Sequence, residues 1–212
     1  MIFPKWSNRL VLGILAGAPI LVVGAITAFA LYISPYNQSV GFAPKQPIAY
    51  SHKLHAGDLG IDCRYCHVNV ETAPVAMVPP AETCMNCHAT ILTESVEVKK
   101  IKQAYDSGEP IQWERIHRLP HYVYFDHAIH VNSSVGCETC HGRIDHMEVV
   151  HQAKTLSMGW CLDCHRNSEK YLRPGDEITN MAWEAEDQLA LGRELKAAGE
   201  LNPTTNCSGC HR

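Results

Sequence analysis

The residues of this chain that can do chemistry are its ten cysteines and thirteen histidines, and they are not scattered. All ten cysteines fall into five copies of Cys-x-x-Cys-His: Cys63-Arg-Tyr-Cys66-His67, Cys84-Met-Asn-Cys87-His88, Cys137-Glu-Thr-Cys140-His141, Cys161-Leu-Asp-Cys164-His165 and Cys207-Ser-Gly-Cys210-His211. The pattern reads as c-type haem attachment. Two thiols at this spacing reach the two vinyl groups of one porphyrin and form thioethers. The histidine that follows is then held beneath the iron as its proximal ligand. Five covalently bound haem c groups are expected. A disulfide framework has no use for a histidine after each pair. Zinc ribbons take such pairs two at a time, and five is an odd number of half-sites. A thioredoxin-like redox pair occurs singly in a βαβ setting, for which there is no signal here.

Five irons held from below need five ligands above. The other eight histidines are His52, His55, His117, His121, His127, His130, His146 and His151. His52 and His55, and again His127 and His130, form two His-x-x-His pairs, each placed ahead of two haem motifs. Neutral imidazole is a ready iron ligand, so these four are the expected distal ligands. His117, in the connection ahead of the second pair and within reach of the second haem, is the fifth. Met158, Met77, His151 and His146 are the alternatives, and a methionine would raise the potential of its haem. His121 is expected to be solvated. No catalytic residue is expected, because a fully ligated iron carries electrons and does not bind small molecules.

The elements that must hold these groups follow from the rest of the chain. From Leu10 to Ile33 no residue is charged, and Leu12, Ile14, Leu15, Ile20, Leu21, Val22, Val23, Ile26, Phe29 and Leu31 are strongly apolar. A run of this length spans a bilayer as a helix, with Pro19 tolerated. Lys5 and Arg9 ahead of it place the N-terminus in the cytoplasm, and everything after Tyr36 on the outer, periplasmic side of that membrane. Ala28-Phe29-Ala30 resembles a signal-peptide cleavage site, but the apolar run is longer than a signal peptide needs, so an uncleaved anchor is expected. Export and covalent haem agree, since c-type haem is attached outside the cytoplasm.

The sequence also repeats. Tyr50-Ser-His52-Lys-Leu-His55 precedes the first two haem motifs, and Phe125-Asp-His127-Ala-Ile-His130 precedes the third and fourth. Both read aromatic-x-His-x-x-His, and both stand at nearly the same distance from the first cysteine that follows. This divides the chain into an anchor (1–35), a first dihaem module (36–92), a helical insert (93–120), a second dihaem module (121–170) and a C-terminal helix with the fifth motif (171–212). The insert is expected to start at Thr93, to present Val98, Ile101 and Tyr105 on one face and to end at Gly108. A second helix is expected over 180–198, with Met181, Ala185 and Leu189 on one side. Pro44 to Pro47 and Pro79-Pro80 read as extended linkers. The expected fold is mainly α with much irregular loop and little β. Too few residues accompany each haem to build a core without the porphyrins, which must supply most of the buried apolar surface. A net charge of -4 excludes a nucleic-acid binder that works through bulk positive charge. Without Lys5 and Arg9 the exported part is more negative still, which suits docking to a basic partner.

The aromatic-x-His-x-x-His lead before paired haem motifs resembles the cytochrome c3/c7 family. More closely, several runs resemble the pentahaem cytochrome subunits of alternative complex III: Ser51 to His55, Val78 to His88, Leu119 to His130 and Met158 to Arg166. The single anchor matches as well. The resemblance implies a membrane complex whose integral-membrane subunits oxidise quinol. Electrons would arrive from an iron–sulfur, molybdopterin-like subunit and leave to a monohaem cytochrome c or a terminal oxidase. It also implies that His52 serves the haem of His67 and His127 that of His141, while His55 and His130 cross to neighbouring haems. The same motifs occur in electron-transfer subunits of molybdopterin oxidoreductases. A multihaem reductase with one open haem is the enzymatic alternative, and the histidine that ends all five motifs counts against it.

Overall fold

The computed structural model describes residue 4 and residues 6–211. Lys5, one of the two charges in the orientation argument, lies outside the described residues. The chain opens with a long helix, α1 (Trp6–Ile33), which has no buried residue and carries Pro19 inside it. Its most apolar stretch has a mean hydropathy of 2.4. At about 1.5 Å per residue it is longer than the roughly 30 Å hydrocarbon layer of a bilayer, so by length and composition it can cross a membrane. The helix stops at Ser34, whose hydroxyl accepts from the Tyr36 N–H and starts the short α2 (Pro35–Gln38), with Pro35 in the first helical position.

Beyond α2 an extended strap leads into the rest of the protein. Gly41 N–H donates to the Gln152 carbonyl (2.8 Å), and Gln152 N–H donates to the Phe42 carbonyl (3.1 Å). The Gln46 side chain both donates to and accepts from the backbone of Glu114 (2.9 and 3.0 Å). The anchor is thereby tied to two distant loops, and Gln152 at the tie is only 3% exposed.

The remaining helices are short: α3 (Cys63–Cys66), α4 (Ala81–His88), α5 (Val96–Ser107), α6 (His127–Asn132), α7 (Cys137–His141), α8 (Met158–Arg166), α9 (Gln188–Ala198) and α10 (Cys207–Cys210). Each Cys-x-x-Cys segment is thus one helical turn, which puts both cysteines on the same side of the backbone. Among the described residues β structure is limited to two isolated bridges, Val123 with His211 and Val135 with Leu172.

Two helices differ from expectation in their limits. The insert helix α5 begins after Ser95 rather than at Thr93, and Gly108 ends it in the left-handed conformation (φ 71°). Val98 and Ile101 are buried, whereas Tyr105 is 47% exposed. Ile101 packs with Ile48 and Ala81, flanked by Cys84, Met85, Ile111 and Trp113, so the insert serves as a brace for the second haem motif. The helix expected over 180–198 begins only at Gln188, because the Asp187 side chain caps it by accepting from the Ala190 N–H. Ahead of it the Asn180 side chain accepts from Ala182 N–H, and Trp183 is held under the Arg173 guanidinium. These contacts keep residues 181–187 irregular.

Buried apolar residues are few: Ile48, Ala81, Val98, Ile101, Met147, Leu172, Ile178 and Met181. Many large apolar side chains outside α1 stay exposed, among them Val68, Val75, Leu92 and Ile129. The polypeptide by itself does not close a core.

The closest packing joins α9 to the turn over Ser168–Lys170. Gln188 Nε2 donates to the carbonyls of Glu169 (3.2 Å) and Leu172 (2.8 Å), and Lys196 pairs with Glu169 (3.2 Å). Gly192 faces the Glu169 carbonyl so closely that any β-carbon there would strike it. Gly192→Val is therefore expected to cost about 1–3 kcal/mol through overpacking, read as a lowered thermal midpoint of the haem-loaded protein. An unchanged midpoint would show that this contact is not maintained.

Candidate haem-binding site

The aromatic residue that leads each His-x-x-His pair has a definite job. The Tyr50 ring stacks on His55 (centroids 4.4 Å apart, planes at 24°) and meets His52 edge-on (4.8 Å, 87°). Phe125 does the same with His130 (4.5 Å, 27°) and His127 (4.8 Å, 88°). The two leads are thus near-copies in space as well as in sequence. Each aromatic ring holds its two imidazoles at a fixed angle to one another.

These leads meet the motif histidines across the fold. His55 lies 6.2 Å from His88, His130 lies 6.1 Å from His165, and His127 lies 6.5 Å from His141 with the rings nearly parallel (14°). Two imidazoles bound on opposite sides of one metal at about 2 Å each have their centroids about 6 Å apart. The three separations have that value.

The second ring nitrogen sets which one can bind. A ligating imidazole usually gives its other N–H to a carbonyl, which fixes its orientation and raises its basicity. Seven histidines have Nδ1 against a backbone carbonyl. These are His55 with Ser51 (2.9 Å), His67 with Met77 (2.6 Å), His88 with Ile91 (3.0 Å), His127 with Pro74 (2.9 Å), His130 with Asp126 (2.7 Å), His165 with Thr204 (2.6 Å) and His211 with Tyr122 (3.2 Å). In each ring Nε2 is left as the lone pair that can ligate. Nδ1 of His52 and of His141 and Nε2 of His117 are buried without a hydrogen-bond partner among the described residues. An orphaned buried ring nitrogen is costly; an iron facing it would satisfy the Nε2 of His117, while His52 and His141 keep Nε2 as the nitrogen that can ligate. The donor set fits haem.

Burial disfavours the charged form of four of these rings. Burial holds His52 and His117 at about 4 and His141 at about 3, against an ordinary value of 6.5, with neighbouring histidines pushing the same way. The same burial lowers His130, and it raises the Tyr50 hydroxyl. A neutral imidazole has a lone pair for a metal; an imidazolium does not.

The other sequence candidates sit as follows. His117 does not lie beside the second motif as expected. Its ring packs on His141 of the third (4.5 Å, 76°), because the 110–121 loop runs along the strap and places it at the junction of the two modules. His146 is exposed, and its Nε2 is engaged by Arg143 (2.7 Å) and Asp145 (3.6 Å). Met77 has φ 69°, gives its carbonyl to His67 and has its sulfur 3.6 Å from Asn69 Nδ2. Met158 opens α8 at 67% exposure, His151 is half-buried and His121 is exposed. The supporting carbonyls were only partly visible in sequence. Ser51–His55 and Asp126–His130 are four-residue helical spacings, whereas Pro74, Thr204 and Tyr122 come from distant loops. Arg173 gave no sequence signal. It is 5% exposed, donates to the Asn180 carbonyl (3.0 Å) and Glu138 (3.4 Å), and lies against Gly136, next to Cys137.

Residues 123–212 match the family model of cytochrome c7 and related cytochrome c. Over 204 residues the chain is 28% identical to the menaquinone reductase, multihaem cytochrome c subunit, of Nitratidesulfovibrio vulgaris (strain Hildenborough). That likeness covers 92% of this chain and 90% of the relative. The mostly helical architecture, sheet-free among the described residues, is that of a multihaem cytochrome domain, and the attachment motifs suit covalent haem c.

The depressed histidines fix the direction of acid sensitivity. Unfolding frees rings that take up protons from about pH 6.5 downward, while the folded rings resist until about pH 4. The unfolded state therefore binds more protons in that interval, and stability falls as pH falls through it. The thermal midpoint is expected to fall as pH is lowered from about 6.5 to 4, and a midpoint unchanged across that interval would contradict this.

Proposed function

We propose that this chain is a membrane-anchored pentahaem electron-transfer subunit of a quinone-linked membrane complex of the alternative complex III kind, with no substrate chemistry of its own. The observation that carries the reading is the 6.1–6.5 Å approach of the His-x-x-His rings to the motif histidines. Each Cys-x-x-Cys turn would hold one of five haems. His67, His88, His141, His165 and His211 would bind from the motif side. The proposed distal partners are His52 for His67, His55 for His88, His127 for His141 and His130 for His165. His117 is also proposed as a ligand, at the junction of the modules beside His141; the iron of His211 is given no distal partner. When bound, the haems supply one-electron carriers. The chain's own part is to fix their orientation, keep the imidazoles neutral and exclude water from the irons.

The α1 helix would anchor the subunit in the inner membrane with the haem domain on the periplasmic side. One helix makes a poor quinone pocket, since such sites usually lie between helices. Quinone chemistry is thus assigned to integral-membrane partners, joined to this chain through an iron–sulfur subunit. A monohaem cytochrome c or a terminal oxidase would take the electrons. The relative's name favours a second reading, in which electrons run the other way, into menaquinone.

Two measurements test this. A pyridine haemochrome assay of the purified chain is expected to give five haems, and four or fewer would remove the pentahaem assignment. Menaquinol added to the oxidised native complex is expected to reduce the haem α-band. If menaquinol has no effect while menaquinone oxidises the pre-reduced complex, the second reading holds.

A further inference from the structure

The contacts between attachment sites do not follow their order in the chain. The second motif meets the first through Asn86 Nδ2, which donates to the Tyr65 hydroxyl (3.0 Å); both residues lie inside their motifs. Tyr50, which clamps His52 and His55, also stands close to Cys63, Cys66 and Cys84.

The first motif meets the third, not only the second. The sulfurs of Cys63 and Cys137 lie close together. The Asp62 carboxylate, which caps α3, accepts from Thr179 Oγ1 (2.9 Å), while the neighbouring Ile178 carbonyl accepts from Cys137 N–H (3.1 Å). His127 N–H and Nδ1 both reach the Pro74 carbonyl in the loop after His67 (3.1 and 2.9 Å).

The third meets the fourth at the Phe125 clamp, where His127 faces His141 and His130 faces His165. Cys140 is also close to Cys161 and Cys164. The fourth meets the fifth where His165 Nδ1 bonds the Thr204 carbonyl (2.6 Å) and Thr204 packs on Gly209 between the last two cysteines. Cys161 stands near Cys210.

One further fact marks the ends. Of the ten cysteines, Cys87 in the second motif and Cys207 in the fifth are exposed, and the other eight are at least partly covered.

We propose that the five haem sites stand in single file in the order second, first, third, fourth, fifth, with the second and fifth at the two solvent-facing ends. The inference rests on the pentahaem reading and adds a path to it. The junction between modules is the contact of the first site with the third, made by the front halves of the two copies. The fifth site extends the second module, and α5 braces the opposite end. Electron transfer slows steeply with distance, so partners would exchange electrons with this chain at its two ends, while the first, third and fourth sites serve as internal steps.

An iron-edge anomalous difference map of the haem-loaded chain or its complex tests this directly. Five peaks are expected, with nearest neighbours second–first, first–third, third–fourth and fourth–fifth, and with the second and fifth irons the most widely separated pair. A second iron adjacent to the third, or a fifth iron nearer the first than the fourth, would overturn the order. Fewer than five peaks would instead overturn the pentahaem reading on which it rests.

Discussion

The covalent attachment of haem is the constraint on which the rest of this structure depends. Leu172, at 2% exposure, is the most thoroughly buried large side chain, and the apolar residues that join it in burial are few and dispersed. Segments as short as one helical turn cannot hold themselves together in water, because nucleating a turn fixes several residues for a single hydrogen bond. What they do is bring pairs of thiols and an imidazole to a common point. The porphyrin is the body around which such points make sense. It would contribute the apolar area that the chain lacks.

From that constraint the duplicated lead gains its meaning. An aromatic ring stacked on one imidazole and set edge-on to the other holds two imidazoles that point in different directions. One lead can thereby address two sites and fix them relative to each other. The Nδ1 carbonyl contacts add orientation and basicity, and burial disfavours the charged form of His52 and His130. Polar satisfaction and electrostatics thus act toward the same end, oriented imidazoles available as donors.

Much of this was legible in the sequence, and the reason is local chemistry. The Cys-x-x-Cys-His spacing and the helical run before Ile33 can be read from neighbouring residues alone, and the two His-x-x-His leads recur in space as they do in sequence. The α5 helix was legible too, through Val98 and Ile101 and the stop at Gly108. Its start was not: the helix begins after Ser95, which makes no side-chain capping bond, so no capping side chain marks it. The helix expected from residue 180 failed because Arg173 and Trp183 pair across the loop, a contact that no periodicity announces. His117 was placed by proximity in the chain, and the fold took it elsewhere because the strap at Gln46 captures its loop. Long-range carbonyl partners such as Thr204 are invisible for the same reason.

The central claim is that haem, rather than the polypeptide, forms the core of the domain beyond α1. Far-UV circular dichroism and thermal melting of the chain made without haem attachment, with its cysteines replaced by serine, test it against the loaded form. The account predicts helical signal little beyond that of α1 and no cooperative melt. A cooperative transition in the haem-free chain, with the helix content of the loaded protein, would contradict it.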